Sequence, residues 1–163
     1  MYPSWLPTPI SLNGSSINQD YSTLHELFNS EILGKNLEVD GIKVIVNTDP
    51  DKEMPQYEGG FMHLITRKDS SGLRIIDYAR ANKLHWVPAI INNYLKPEVR
   101  SFWCTSPKGE TLYLWLHGHN HMVVLKWTSR AQARKVIVTA FCVDSYNQRY
   151  YESLYTQATK ILS

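Results

Sequence analysis

A histidine and an arginine stand four residues apart behind a glycine pair in the run 59–67, Gly-Gly-Phe-Met-His-Leu-Ile-Thr-Arg. With an ordinary pKa of roughly 6.5, the imidazole of His63 can carry a proton at neutral pH, and the planar guanidinium of Arg67 matches a phosphate. The run reads as a short extended segment made flexible by Gly59 and Gly60. Further along, Arg74, Arg80 and Lys83 fall on or beside a short helical piece, with Trp86 close behind. A basic helix next to an aromatic suits nucleic acid, although solvated helix faces are commonly basic too.

The run Val138-Thr139-Ala140-Phe141-Cys142-Val143 closes the last strand-like segment. Strict alternation puts Lys135, Ile137, Thr139, Phe141 and Val143 on one face and Val136, Val138, Ala140 and Cys142 on the other. Both faces are largely apolar, so this strand is expected to be central. Thr139 is then either a core hydroxyl or a donor to a phosphate. Arg100, Tyr113 and Lys126 each alternate with apolar neighbours and share a face if the registers allow, which would join cations to a phenol. The cluster His117-Gly118-His119-Asn120-His121 straddles a predicted hairpin turn and lacks the i, i+4 or Cys/His spacing of a metal site. We read it as a polar turn in which His121 lines a cleft, and expect neither metal nor cofactor.

The elements that must hold these residues follow from punctuation and period. Three prolines and an Asn-Gly-Ser-Ser tract make residues 1–19 an extended arm packed along the surface. Thr23 and Glu26 have capping-box spacing, and Leu24, Leu27, Phe28 and Ile32 form an apolar stripe ending near Gly34. Residues 42–46 read as a strand, residues 68–72 as a turn, and residues 77–83 and 88–95 as short helical pieces. Strand-length runs at 99–104, 111–117, 122–127 and 135–143 are separated by turn residues and suit an antiparallel meander. Tyr146, Tyr150, Leu154, Ala158 and Ile161 recur at helical spacing, which predicts a C-terminal helix.

A chain of 163 residues with 43% hydrophobic content suits one domain with a real core. Within it we expect the arm at 1–19, a helical region with a short strand pair at 20–95, and an antiparallel sheet with its closing helix at 96–163. Seventeen basic and fifteen acidic side chains nearly cancel, so any basic surface must be local. Cys104 and Cys142 sit in apolar runs without metal spacing and read as buried thiols in a reducing compartment, with a disulfide between neighbouring strands as the alternative. No basic segment precedes an apolar stretch at the N-terminus, and no apolar window approaches the roughly 20 residues of a membrane span. The expected location is the cytoplasm of a host cell, away from membranes.

Taken in order, Phe61-Met62-His63-Leu64-Ile65-Thr66-Arg67, then Asp77-Tyr78-Ala79-Arg80-Ala81 leading to His85-Trp86-Val87-Pro88, then paired strands ending in Val138-Thr139-Ala140-Phe141-Cys142-Val143-Asp144, resemble a known group. They are similar to the phage- and mobile-element-associated nuclease-like families gathered with barnase, EndoU, the colicin-type tRNases and RelE (BECR), over about residues 57–155. The resemblance implies an α+β fold: a helical N-terminal part on a four-stranded antiparallel meander, a C-terminal helix, and metal-independent RNA cleavage in a cleft on the sheet. It matches His63 to the motif histidine, Arg67 to the basic residue after it, Arg80 to the helix arginine and Thr139 to the hydroxyl of the final strand. Tyr146 joins these as a candidate catalytic group, and Arg74, Lys126, Tyr113 and Trp86 as candidate substrate contacts. For Trp86, helix packing is the commoner role.

Metal-free RNA cleavage needs a base for the 2′-hydroxyl, an acid for the leaving 5′-oxygen, and cations around the crowded phosphorus. His63 suits either proton-transfer role, and Arg67, Arg80 and Thr139 suit phosphate binding. Tyr146, His85 and His121 are the choices for the second proton-transfer group. The expected activity is that of a metal-independent endoribonuclease acting on an RNA substrate, as a phage- or prophage-encoded toxin held by an antitoxin or immunity protein. A scaffold that binds nucleic acid or a protein partner without catalysis is the competing reading, mildly favoured by the near-neutral charge.

Overall fold

The computed structural model describes residues 1–12, 14–127 and 135–163. The chain is a mixed α+β structure whose large sheet is crossed by helices on both faces. Helix α1 (Ile17–Phe28) is capped by Ser16, whose hydroxyl accepts from the Gln19 amide, and runs on into a π turn at Asn29–Leu33. The helix therefore begins six residues before the Thr23/Glu26 pair. Ser16 wins because the cap residue must leave the helical region, and its extended φ of −143° does so. The stripe survives, with Leu24, Phe28 and Ile32 buried.

Strands β1 (Glu38–Val39) and β2 (Ile42–Val46) form a hairpin across Asp40-Gly41. Helix α2 (Gly59–Ile65), strands β3 (Thr66–Lys68) and β4 (Arg74–Ile76), and the short helices α3 (Tyr78–Ala81) and α4 (Trp86–Asn92) follow. Strands β5 (Val99–Ser106), β6 (Gly109–Leu116), β7 (His121–Trp127) and β8 (Lys135–Cys142) pair in succession, antiparallel. Helix α5 (Ser145–Thr156) and strand β9 (Lys160–Leu162) end the chain. The sheet order is β1-β2-β8-β7-β6-β5-β9, with β2 parallel to β8, so β8 is paired on both sides, as its apolar faces required. Ala158 and Ile161 do not continue the helix. After Thr156 the chain turns back, and β9 pairs with β5 while burying Leu162.

The predicted extended segment at 59–67 is a helix through Ile65 and a strand only from Thr66. Its glycines serve contact rather than flexibility. The Gly59 and Gly60 amides donate to the carbonyls of Asp49 and Asn47 at 2.7 and 2.9 Å, satisfying a helix start that has no side-chain cap. A Cβ at Gly60 would lie 2.3 Å from Val46 Cγ2 and 2.7 Å from the Asn47 carbonyl oxygen. Gly60→Ala should therefore cost about 3 kcal/mol, the upper part of the usual overpacking range. Urea unfolding measures it, and a loss under about 0.5 kcal/mol, the scale of a neutral surface change, would show that α2 can lift off β2.

Two packed layers result. Helices α1 to α4 cover one face of the sheet, burying Leu112, Leu114, Val123, Leu125, Ile137 and Ala140. Helix α5 covers the other, with Tyr151, Leu154 and Tyr155 over Phe102, Trp115, Met122 and Val124. The N-terminal arm is shorter than the expected 1–19, because α1 starts at Ile17, and it lies on the first layer: Trp86 Nε1 donates to the Pro7 carbonyl at 2.8 Å, and His85 Nε2 bonds the Thr8 carbonyl at 2.7 Å.

Candidate functional site

Helices α2 and α3 meet β8 at one corner of the sheet. The C-terminal carbonyls of α2 need donors from outside the helix, and the chain supplies a cation. Arg80 Nη1 donates to the carbonyls of His63 and Thr66, both at 3.2 Å, where positive charge also complements the helix dipole. The Asp77 amide donates to the Ile65 carbonyl, and its carboxylate caps α3 through the Arg80 amide. The same carboxylate faces Arg80 Nε at 3.3 Å and Arg67 Nε at 4.0 Å. His63 and Arg67 are exposed at this corner, and Arg80 is mostly buried beneath it.

A carboxylate also stands near His63. Burial raises the Asp51 pKa, but the amides of Met54 and Glu53, with positive charge from Arg74 and His63, outweigh it and hold the carboxyl below its usual range. Arg74 is an organiser of this side: Nη1 donates to Thr66 Oγ1 at 3.1 Å, and Nε lies 3.7 Å from Glu53.

The other sequence candidates are placed elsewhere. Thr139 is opposite Val124, while Ile137 is opposite Leu125, so Val138 is an extra residue in β8 and strict alternation fails there. This β-bulge returns Ile137 to the face of Ala140 and Cys142, and Thr139 shares the α5 face with Val124 and Phe141. Thr139 is thus across the sheet from Arg80. Arg100, Tyr113 and Lys126 do share a face, since Arg100 is opposite Trp115, Tyr113 opposite Val124 and Lys126 opposite Thr111. That face is the one under α5. Tyr113 stacks on Phe102 at 5.2 Å, and burial, with Tyr150, Cys104 and Tyr151 nearby, pushes its hydroxyl up to about 12. The Arg100 guanidinium lies 4.8 Å from the Tyr155 ring centroid. Lys126 is exposed.

Trp86 is 1% exposed, wedged among Tyr2, His121 and the Lys83 ammonium, which leaves no face for a base. Tyr146 projects from the first turn of α5, 91% exposed. Among the alternatives for a second proton-transfer group, His85 is engaged by the arm. His121 is wholly buried and held neutral: burial, then Lys83 and Arg80, bring its pKa down to about 3.

Beside the corner, a cleft of about 470 Å³ opens between α3, the end of β8 and the start of α5. Asp77, Arg80, Cys142, Asp144, Asn147 and Tyr151 line it. Sequence reading missed Asp77 as the carboxylate shared by two arginines, although its place as the cap of a short basic helix was a usable signal. It also missed Cys142 as a cleft residue. Among the described residues no helix is long and apolar enough to cross a membrane, and no group of three or more His, Cys, Asp or Glu side chains is placed to hold a metal ion. No family model, curated protein or solved structure matches the chain.

Proposed function

We propose that this chain acts on RNA as a metal-independent endoribonuclease, with His63 as its proton carrier. The observation that carries the reading is the shared carboxylate of Asp77, which gathers Arg67 and Arg80 beside the helix end that bears His63. One histidine and one exposed cation then present themselves to a phosphodiester, over a second cation that fixes the helix end. In the step, His63 takes the 2′-hydroxyl proton, the 2′-oxygen bonds to phosphorus, and the bond to the 5′-oxygen breaks. The departing oxygen takes a proton from solvent or from the imidazolium just formed, giving a 2′,3′-cyclic phosphate and a 5′-hydroxyl. Arg67 steadies the charge that builds on the phosphoryl oxygens. The succession of β5 to β8 behind a helical first half supports the BECR-like arrangement on the side of the fold.

A non-catalytic RNA-binding scaffold is the second reading. Thr139 lying across the sheet from the corner, and the high exposure of Tyr146, favour it. Incubation of the full chain with total RNA in excess EDTA separates the two. Fragments ending in 2′,3′-cyclic phosphate are expected from the enzyme. Intact RNA at micromolar folded protein, with affinity for labelled RNA that falls steeply as salt rises, would leave only the binding scaffold.

A further inference from the structure

Cys142 ends β8 directly opposite His121 on β7, on the face away from α5. Its sulfur is met from α3, from the turn that follows α3, and from β7. The Ala79 carbonyl of α3 lies at 3.3 Å, the Lys83 ammonium at 3.5 Å and His121 Nδ1 at 3.9 Å. The ammonium is itself held, 5.0 Å above the Trp86 ring. His121 has no exposed surface, and its Nε2 has no hydrogen-bond partner among the described residues. The contact that its other ring nitrogen, Nδ1, makes is to this sulfur. The thiol is free, half-buried, and opens to the 470 Å³ cleft.

The second thiol provides the contrast. Cys104 is on the α5 face, with Sγ 3.6 Å from the Leu154 carbonyl, and burial pushes its pKa up.

From this arrangement we propose that Cys142 is a peroxide-reactive thiol, with Lys83 and the Ala79 carbonyl as the groups that receive its oxidised form. The reading is independent of whether the chain cleaves RNA. The sulfur attacks one oxygen of hydrogen peroxide; an S–O bond forms and the O–O bond breaks. The hydroxide that leaves takes up the thiol proton and departs as water. Sulfur is oxidised by two electrons to a sulfenic acid, and the peroxide is reduced. In the product, the new hydroxyl has the Ala79 carbonyl to donate to and the Lys83 ammonium to accept from. Lys83 is a positioning residue: a fixed cation held 3.5 Å from the sulfur, beside the place where negative charge builds on the departing peroxide oxygen.

The test is dimedone trapping. The reduced full-length chain is treated with hydrogen peroxide in the presence of dimedone, and each cysteine is followed by peptide mass spectrometry. Cys142 should be trapped about tenfold faster than Cys104. Lys83→Met should slow trapping at Cys142 several-fold, and Lys83→Arg should restore most of the rate, with near-ultraviolet circular dichroism confirming that both variants fold. If Lys83→Met does not fold, the wild-type against Lys83→Arg comparison in native buffer and in urea decides. Urea should erase the difference between the cysteines in both proteins, because the site exists only in the folded chain. Equal trapping of both cysteines in the folded protein, no adduct at Cys142, a preference that survives urea, or a folded Lys83→Met that reacts like wild type would each overturn the proposal.

Discussion

Between about pH 7 and about pH 4.5 the folded chain is expected to lose roughly 2 to 3 kcal/mol of stability through His121 alone. The sign follows from which state binds the proton. In the unfolded chain the imidazole titrates near its ordinary 6.5; in the fold, burial first, then the nearby Lys83 and Arg80, bring it down to about 3. Above the unfolded value neither state is protonated, and His121 confers no pH dependence. Between the two values only the unfolded chain takes up the proton, so stability is complete above about pH 6.5 and falls as the pH drops toward 3. Urea midpoints across this window measure the loss. His121→Gln, which keeps a polar side chain but cannot titrate, should flatten the slope. An equally steep slope in that variant would place the acid sensitivity elsewhere; Asp51 would not supply it, since its depressed carboxyl loses stability in the same direction only below about pH 4.

His121 also marks where the sequence stops being readable. The four meander strands were legible because Val, Leu, Tyr and Trp alternate along them and turn residues punctuate them, and β2 was legible as a β-branched run. Those are local signals, set within a few residues. That His121 is buried against Cys142 depends on β7 and β8 pairing across a connection outside the described residues, which no local pattern carries. The bulge at Val138 has the same origin: one unpaired residue is invisible in an apolar run, yet it decides which face Thr139 takes. The glycine pair misled for a different reason. Glycine marks both a free backbone and a close approach, and only the position of Val46 and Asn47 tells them apart. The capping of α2 by Arg80 is again nonlocal, seventeen residues from the carbonyl of His63 that it holds. The sequence could therefore propose His63, Arg67 and Arg80 as partners, but it could not show that Arg80 acts mainly as a clamp.

That distinction sets the strongest functional expectation. His63→Ala should reduce RNA cleavage by about 10²- to 10⁴-fold, the usual worth of a positioned proton-transfer group. Stability should change by no more than about 0.5 kcal/mol, because the side chain is exposed on α2 and its removal opens no core. Arg80→Met should behave differently. It removes a donor shared by two carbonyls and leaves the half-buried Asp77 carboxylate, among the described residues, with only the exposed Arg67 as an ion-pair partner. Charge-assisted bonds of this kind are worth roughly 1.5 to 3 kcal/mol, so this variant should lose stability and cleavage together. Measuring both quantities on both proteins gives the test its power. A His63→Ala protein that folds normally and cleaves at the wild-type rate removes His63 from the chemistry. A His63→Ala protein that loses stability as much as Arg80→Met makes the histidine part of the clamp. Only loss of cleavage at full stability assigns it the proton.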